Sequence, residues 1–506
     1  MGSLSDSSKD PRPFNFPREV DEWIQKTLVH DVFNDDIAPL NHAVREGWKL
    51  KIDQMKDWGI VDGHTFLLFA SGMLRWVPKE TCDAKLIYNA LCMLNVILDQ
   101  CPLDKPEYSL PICPDSVGKE LPSLSRWLVN FSKRIGSWMD TDESITCEAI
   151  QSFKDSPLFN IAEAYEPKGG WRTFNDMFSR TLKKGMRPIS AGDRERDGEN
   201  YNRVVVFPAD STFDGAWPVT RDSETQEDIV QIKGLDWTIK SLLNGCSYAD
   251  RFEGGVWMHA FLNTFDYHRQ HAPVAGKVVE SKVIPGLNYL NVTVIEDPND
   301  SSKNILHQHR SLGPCEAQAD PGKGLAGTLN APDNAGYQFL QSRGCIVIHN
   351  DLLGYVAVLP VGMAQVSSVV TLVSEGDYVK KGQPISKFLF GGSDIVLVFQ
   401  KEAHVQILGA QGMDDKGQAT SKQKYLVGMP VRGWPLGLFN VEVPSIDYSK
   451  LKRRRTLQGI VDPAEPDLGN CSGKAGDLGR ALARDNAVGI LAEGSGLGLE
   501  SGLSFR

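Results

Sequence analysis

Apolar positions repeat with two different periods along this chain, and the change falls near residue 165. Between Trp23 and Val32 the apolar residues recur at spacings of three and four, which is the period of one helix face. Residues 84–98 are apolar on nearly all sides and predict a buried helix. We therefore expect a helical N-terminal domain over residues 14–164, after a polar and disordered stretch over residues 1–13.

Short runs rich in β-branched residues, separated by turns, follow residue 165. These runs predict β-strands, at residues 204–207, 229–233, 277–284, 290–295, 345–349, 355–359 and 366–373. Residues 173–189 predict a short amphipathic helix that ends at Lys183, Lys184 and Gly185, since basic residues and glycine are common at helix C-termini. Residues 296–335 are polar and predict a long surface loop. The expected fold class is α+β, with a helical domain followed by a β-rich domain.

Residues 374–385 resemble the half-repeat of biotinyl and lipoyl domains, with Gly376 and Gly382 at two turns. Those carriers present a lysine at a hairpin tip, within a motif such as Met-Lys-Met, and this segment has no such motif. We expect a β-sandwich-like (lipoyl-like) half-repeat without the carrier function. The end of the chain, residues 449–506, is rich in glycine, serine, alanine and aspartate. Its low aromatic content predicts a mostly disordered tail.

A Gly-Gly-Ser hinge interrupts an apolar run in the β-rich half. Residues 388–390 are apolar, Gly391, Gly392 and Ser393 follow, and the run resumes at residues 395–399. A β-bulge or a hairpin turn accounts for such a break. A self-cleaving Gly-Ser bond accounts for it as well, because the Ser393 hydroxyl directly follows a carbonyl that no side chain obstructs.

Two further stretches carry polar residues where predicted strands end. Asp210 follows a Pro-Ala pair in a turn, where aspartate commonly bonds its own backbone. His268 and His271 stand three residues apart, but no cysteine or glutamate set with zinc spacing accompanies them, so no metal is expected. Asp210, a histidine and Ser393 could also form a hydrolase triad. Ser393 lies between two predicted strands, however, rather than in the strand-to-helix elbow of such enzymes.

The composition narrows the choice of function. A net charge of -10 argues against general nucleic-acid binding, and 41% hydrophobic with 23% charged residues is typical of a soluble globular protein. The first residues are polar and lack the apolar core of a signal peptide. No apolar run approaches the length of about 18 residues that a membrane span needs. Nine cysteines without a Cys-x-x-Cys pair indicate reduced thiols, and we expect a cytoplasmic protein.

In combination, these segments resemble the phosphatidylserine decarboxylase family of pyruvoyl enzymes. The run at residues 266–276, which contains both histidines, and the hinge at Gly392 and Ser393 carry the resemblance, because the two occur together. The resemblance spans about residues 165–445. It implies a β-rich pyruvoyl decarboxylase domain over residues 165–448.

The family makes its own cofactor from a serine, and the resemblance implies the same for Ser393. Cleavage between Gly392 and Ser393 would give two chains, residues 1–392 and 393–506. A pyruvoyl group derived from Ser393 would begin the second chain. Its ketone would condense with the substrate amine and withdraw electrons as the carboxylate leaves, without pyridoxal phosphate.

Three residues match catalytic residues of the family by their positions in these motifs. His271 matches the base that activates Ser393. Asp210 matches the carboxylate that orients this base and favours its charged form. His268 matches the group that protonates the carbanion after decarboxylation. These roles follow from the resemblance and not from the spacing of the residues.

The hinge departs from the family's usual motif, and the departure bears on the substrate. Phosphatidylserine decarboxylases usually have Leu-Gly-Ser-Thr or Phe-Gly-Ser-Thr, whereas this chain has a second glycine, Gly391, and has Asp394 after the serine. They usually have Val-Gly-Ala at the position where this chain has Val361, Gly362 and Met363. With the long helical domain and no membrane anchor, these traits are similar to the soluble fungal branch that decarboxylates free aromatic amino acids, the L-tryptophan decarboxylases.

A free L-amino acid, aromatic and tryptophan-like, is therefore the expected small-molecule substrate, in fungal secondary metabolism. Phosphatidylserine, converted to phosphatidylethanolamine, is the alternative, and a non-catalytic pseudoenzyme and a serine hydrolase are two others. The expected partners are the substrate and the chain's own two cleavage products, without nucleic acid. A homo-oligomer is left open.

Overall fold

A central antiparallel sheet separates two hydrophobic layers in the computed structural model of this protein. The structure describes residues 11–431, apart from residues 224, 233–234, 289, 291, 298–299, 309–336, 364–367, 406–411, 414–418 and 422–423. Helices fill the first part of the chain and strands the second. The predicted α+β class is thereby confirmed. All described residues belong to one compact unit, and the predicted domain boundaries stay predictions.

The α-helices of the described residues are α1 Glu22–Ile24, α2 Ala38–Lys49, α3 Asp53–Asp57, α4 Gly63–Met73, α5 Leu86–Leu98, α6 Ser123–Met139, α7 Cys147–Asp155, α8 Phe174–Phe178, α9 Arg194–Asp197, α10 Asn200–Arg203 and α11 Ile239–Leu242. Carboxylates fix two helix starts, because first-turn amides have no partner inside the helix. Asp62 accepts the Thr65 N–H at 2.8 Å before α4, and Glu80 accepts the Leu86 N–H at 2.8 Å before α5. The buried helix predicted at residues 84–98 is observed as α5.

The remaining helical turns are shorter or differently wound. A π-helix, Gln25–His30, continues α1. The 3-10 helices of the described residues are Pro114–Ser116, Asp142–Ser144, Pro157–Phe159, Ile161–Glu163, Ala249–Phe252, Tyr337–Phe339 and Lys401–Ala403. In the part of the chain that the structure describes, no helix combines the length and the apolar character needed to cross a membrane.

The strands of the described residues are β1 Ser211–Pro218, β2 Thr220–Arg221, β3 Asp228–Ile232, β4 Leu235–Thr238, β5 Val256–Leu262, β6 Arg269–His271, β7 Gly276–Ile284, β8 Val292–Asp297, β9 Asp300–Gln308, β10 Arg343–Asn350, β11 Gly354–Met363, β12 Val369–Thr371, β13 Tyr378–Val379, β14 Pro384–Phe388, β15 Gly392–Phe399, β16 Gly412–Met413, β17 Ala419–Ser421 and β18 Lys424–Tyr425. Eight strands form the central sheet, in the order β13-β7-β10-β11-β15-β5-β1-β18. Two smaller sheets have the orders β12-β14-β6 and β2-β3-β4. The pairs β8-β9 and β16-β17 complete the set.

Strand β15 lies inside the central sheet and pairs antiparallel with β11 on one side and β5 on the other. Ser393 stands opposite Gly362 of β11 and Leu262 of β5. Successive side chains of a strand point to opposite faces of its sheet. Ser393 and Asp394 therefore face different layers, although they are neighbours in sequence.

The two faces of the central sheet border different hydrophobic clusters. Val396 and Val398 of β15 belong to the cluster that also contains the buried residues of the helices. Ile395 and Leu397 belong to the other cluster, together with Phe388 of the small sheet β12-β14-β6. By strand alternation, Asp394 lies on the helix side of the sheet and Ser393 on the side of the small sheet.

The helix predicted over residues 173–189 is shorter than expected, since α8 ends at Phe178. The Ser179 hydroxyl bonds back to the Asn175 carbonyl at 2.8 Å, a contact that bends helices. The next side chain, Arg180, is buried and donates to a carbonyl of another segment at 2.9 Å. One local and one tertiary contact thus accompany the end of the helix, which comes before the basic residues that predicted it.

The predicted strands and loops differ from the observed ones at three places. Residues 204–207 make only an isolated bridge, between Val206 and Pro430. The loop predicted over residues 296–335 contains the end of β8 and strand β9, which pair with each other, and its residues 309–335 lie outside the described residues. Strands β1 and β5 are present in the central sheet although no β-branched run predicts them.

The half-repeat predicted at residues 374–385 contributes to two different sheets. Strand β13 pairs with β7, and β14 pairs with β6 and β12. Its relation to a lipoyl-type sandwich stays a prediction. The predicted disordered tail, residues 449–506, lies outside the described residues, as do residues 1–10. Pro11 lies within them, and its carbonyl accepts the Trp58 indole N–H at 2.9 Å.

Gly255 provides a test of how closely the strands around β15 approach. A Cβ at Gly255 would lie 1.9 Å from the carbonyl oxygen of Phe399, at the end of β15. We expect Gly255→Ala to lower the free energy of unfolding by about 3 kcal/mol, because backbone has to move. Gly169→Ala is the control, since a Cβ there meets nothing within 4 Å. This substitution should lower the free energy of unfolding only by the cost of placing an alanine in a left-handed backbone conformation, about 1 kcal/mol. Urea unfolding compares them, and equal losses would contradict the close approach.

Candidate active site

Ser393, the second residue of β15, is fully buried. Its hydroxyl oxygen has no hydrogen-bond partner within the described part of the chain. Burying a polar atom without a partner destabilises a protein by about 1–3 kcal/mol, so a serine kept only for structure is expected to bond a nearby carbonyl. The Ser393 hydroxyl is therefore available for reaction, and its removal breaks no hydrogen bond of the described residues.

The hinge between β14 and β15 is held by a chain of hydrogen bonds. Gly391 has a φ of 148°, in the region that glycine adopts more readily than other residues. The N–H of Phe390 donates to the side-chain oxygen of Asn175 at 2.9 Å. The side-chain nitrogen of Asn175 in turn donates to Asp140 at 2.9 Å. Because Asp140 follows the last residue of α6, the end of that helix holds the backbone of the hinge.

Aromatic rings pack against the hinge on the helix side of the sheet. The Phe390 ring makes edge contacts with Phe174, Phe178 and Trp76, at centroid distances of 5.1, 5.5 and 5.7 Å. Such pairs stabilise by about 0.5–1.5 kcal/mol each beyond their buried area. Since Trp76 lies shortly after α4, the helical part of the chain contacts the hinge directly.

His268 is fully buried beside the hinge. Its ring stacks on Phe178 with a centroid distance of 4.0 Å, and its carbonyl accepts the Phe388 N–H at 2.9 Å. Phe178 also contacts Phe390, as described above. The Phe178 ring therefore lies between His268 and Phe390, the residue before the hinge.

Asp210 is buried and paired with Arg187. Arg187 Nε donates to Asp210 Oδ1 at 2.9 Å, and the Nη2 atom donates to Oδ2 at 2.5 Å. The Val427 N–H adds a third donor at 2.9 Å, and Arg187 also reaches Glu163 at 2.9 Å. A bidentate arginine fixes the plane of a carboxylate, so Asp210 has one defined orientation.

Two hydrogen bonds orient the His271 imidazole. Its Nδ1–H donates to the Gly382 carbonyl at 2.6 Å, which leaves the lone pair on Nε2, and the Tyr267 hydroxyl donates to Nε2 at 3.1 Å. Burial raises the pKa of Tyr267 to about 12, so this hydroxyl keeps its proton. Burial also lowers the pKa of His271 from its ordinary value of 6.5. The neutral imidazole, which can act as a base, is therefore the main form at neutral pH.

The predicted site residues fall into two groups. Asp210 and His271 lie on adjoining segments, since the His271 N–H donates to the Pro208 carbonyl at 2.7 Å. His268 and Ser393 are both next to the hinge. Among the described residues, no hydrogen bond joins Ser393 to His271. The predicted catalytic roles thus stay predictions, and Nε2 of His271 has to leave Tyr267 before it can bind the serine hydroxyl.

Several residues of this site give no clear signal in the sequence. Asn175 is 215 positions from Phe390, and no local pattern reveals such a contact. Arg187 lies in the region predicted as a helix end, where a basic residue suggests capping. Tyr267 stands between the polar residues of the run at 266–276, and its place next to His268 is the signal that could have found it.

The comparison with protein families bears directly on this region. Residues 174–419 match the family described as phosphatidylserine decarboxylase. The resemblance predicted from the sequence is thereby confirmed. Of the residues around the hinge, Trp76 and Asp140 lie outside the matched range.

Relatives with two different names cover this region. Phosphatidylserine decarboxylase proenzyme 2 of Oryza sativa subsp. japonica is 28% identical over 71% of this chain and 48% of its own length. The phosphatidylserine decarboxylase proenzyme of Fusobacterium nucleatum is 28% identical over 50% of this chain and 68% of its own length. The L-tryptophan decarboxylase of Psilocybe cubensis is 27% identical over 49% of this chain and 51% of its own length. The matches thus span about half the length of the Oryza and Psilocybe proteins. All three are named decarboxylases, which are carboxy-lyases, the predicted enzyme class.

Tyr267→Phe tests the assigned protonation of His271. The hydroxyl of Tyr267 bonds the lone pair of the neutral imidazole, so its removal destabilises the neutral form and raises the pKa of His271. Histidine NMR titration measures this pKa, with His271→Gln used to identify the resonance. Tyr201→Phe, a buried tyrosine at another place, is the control and leaves the pKa unchanged. An unchanged or lower pKa in Tyr267→Phe would show that the tautomer is wrongly assigned.

Asn175→Ala tests whether the hydrogen bonds from α6 hold the hinge. The substitution leaves the Phe390 N–H and Asp140 without their partner, and we expect a loss of about 2 kcal/mol in the free energy of unfolding. Hydrogen exchange of residues 388–392 should become faster. Ser132→Ala is the control, because its buried hydroxyl bonds only within α6. Faster exchange at the hinge in both variants would mean that α6 itself had loosened.

Proposed function

We propose that this chain is a self-processing, pyruvoyl-dependent decarboxylase whose cofactor forms from Ser393. One observation carries the proposal: the buried Ser393 hydroxyl, which has no hydrogen-bond partner among the described residues, directly follows the Gly392 carbonyl. Glycine leaves that carbonyl unshielded. The loss of the hydroxyl on conversion to a ketone removes no hydrogen bond to the residues that the structure describes. The family match over residues 174–419 supports the same conclusion.

Processing begins when the Ser393 hydroxyl oxygen attacks the carbonyl carbon of Gly392. The amide bond between the two residues breaks as an ester forms, and the nitrogen of residue 393 becomes a free amine. Loss of the Cα proton then breaks the Cβ–O bond, so that residues 1–392 end in a carboxylate and residue 393 becomes dehydroalanine. Water hydrolyses this residue with release of ammonia, which leaves a ketone at the start of residues 393–506.

The chain's own residues move the protons in this proposal. His271 accepts the Ser393 proton at Nε2 once Tyr267 has released that atom, and apo hydrogen bonds of catalytic bases are often not yet in their reactive arrangement. Asp210 stabilises the resulting imidazolium through its negative charge, the direction in which it already acts on the pKa of His271. His268, next to the hinge, protonates the product carbon. The ketone supplies the electron sink for the loss of carbon dioxide.

The substrate in this proposal is a free L-amino acid with an aromatic side chain. Gly391 and Asp394 replace the usual residues of the lipid enzymes at the hinge. The similarity to L-tryptophan decarboxylases supports this choice. Phosphatidylserine is the second candidate, because relatives named for that substrate match the chain equally well.

Ser393→Ala tests the origin of the cofactor. The wild-type protein should run as two bands on a denaturing gel, with a second chain that begins at residue 393 and resists N-terminal sequencing. Ser393→Ala should remain a single chain of 506 residues and release no carbon dioxide. Ser386→Ala is the control, since Ser386 is a buried serine on β14 that bonds Gln270, and it should still be processed. Decarboxylation by unprocessed Ser393→Ala would overturn the mechanism.

Amine formation distinguishes the two substrate candidates. The processed protein is incubated with single L-amino acids, including L-tryptophan, and separately with vesicles that contain phosphatidylserine. We expect tryptamine or another aromatic amine and no phosphatidylethanolamine. The formation of phosphatidylethanolamine alone would overturn the amino-acid assignment and leave the processing mechanism intact.

A further inference from the structure

The residue after the scissile bond, Asp394, is fully buried on the helix side of the central sheet. Its Oδ2 atom accepts the Tyr337 hydroxyl at 2.9 Å and lies 3.2 Å from Nε2 of His259. His259 is a buried residue of β5, and its ring stacks on Trp257 with a centroid distance of 5.6 Å. One carboxylate oxygen thus joins β15 to β5 and to the 3-10 helix Tyr337–Phe339.

The proton on Nε2 of His259 belongs to the bond with Asp394. This nitrogen also lies 3.4 Å from the side-chain nitrogen of Gln338, and it cannot both donate to a carboxylate and accept from an amide. A carboxylate at 3.2 Å is the stronger partner, and the two ends of the Gln338 amide can be exchanged without moving other atoms. His259 therefore donates to Asp394, which gives the buried carboxylate two donors.

Cleavage changes what holds residue 393 in place. In the unprocessed chain, covalent bonds fix this residue on both sides. After processing it is a chain terminus, and chain termini fray unless they are held. The ketone is then joined to Asp394 through a single amide. Apart from the pairing with Gly362 and Leu262, the side chain of Asp394 is the nearest attachment of the new terminus to the rest of the protein.

We propose that Asp394, His259 and Tyr337 form an anchor that positions the ketone in the processed enzyme. The inference rests on the proposed function, because it concerns the chain end that self-cleavage creates. The three act as positioning residues: they hold strand β15 from the face opposite to that of Ser393. A displacement of reacting atoms by about 1 Å can slow an enzyme about 100-fold, so a loose terminus lowers turnover even when the ketone has formed.

Asp394→Asn and Tyr337→Phe each remove part of the anchor with little change in shape. Three quantities are measured for each variant: the cleaved fraction on a gel, the ketone per chain by reaction with phenylhydrazine, and kcat and KM per ketone with L-tryptophan and with phosphatidylserine vesicles. We expect normal cleavage and a normal ketone content. We expect kcat per ketone to fall about tenfold in Asp394→Asn and less in Tyr337→Phe, with KM changed by less than about twofold.

Val396→Ala is the matched control, because Val396 is buried on the same face of β15 two residues further along. Its truncation lowers the thermal midpoint and leaves kcat per ketone unchanged. Hydrogen exchange of residues 394–396 should become faster in the processed Asp394→Asn protein and stay unchanged in its uncleaved Ser393→Ala background. This difference separates an anchor of the new terminus from a general loss of packing.

The outcomes separate the anchor from the proposed function. If the wild-type protein carries no ketone, the proposed function fails and the anchor with it. If the wild type is active and both variants keep their kcat per ketone, the anchor is wrong and the proposed function stands. An Asp394→Asn protein with a wild-type thermal midpoint and no cleavage would place the role of Asp394 before the chain break, and an equal fall of kcat in Val396→Ala would show a packing effect. Either result overturns the anchor.

Discussion

The pairing of β15 on both of its sides is the constraint on which the candidate site depends. Strand β15 lies between β11 and β5, so the backbone at Ser393 has little freedom to move. Strand alternation then places the serine hydroxyl and the Asp394 carboxylate in different layers. The bond that we propose to be cleaved lies where the strand begins, next to Gly391, which has a positive φ. A strand paired on both sides and a glycine with a positive φ thus lie within three residues of each other.

The helical part of the chain also belongs to the surroundings of the hinge. Asp140 at the end of α6 supports Asn175, and Trp76 packs on Phe390. Neither Asp140 nor Trp76 lies in the range that matches the decarboxylase family. The backbone of the hinge is therefore held partly by residues that the family region does not supply, and a change in the packing of α6 can reach the hinge through Asn175.

The sequence predicted the fold class and the hinge because both depend on local pattern. The period of apolar residues indicated helices before residue 165, and α5 lies where a continuous apolar segment predicted it. Strand β5 was missed because Val256 is its only β-branched residue, and it forms through pairing with distant strands. Asn175 and the bond between His259 and Asp394 were missed for a related reason, since tertiary contacts between distant segments leave no periodic signal.

The central position of β15 has a further consequence if the chain is cleaved before it, as we propose. The strand pairs on both sides with segments that precede the break, and β18 adds a second strand from after the break, next to β1. The two products of the proposed cleavage would therefore share one sheet and would stay together without a covalent link. Folding of the intact precursor is a unimolecular process, whereas recovery after unfolding of the processed protein requires two molecules to meet. Maturation would thus convert a protein that can refold at any dilution into one whose refolding depends on its concentration. The lifetime of the processed protein would then be set by its rate of unfolding.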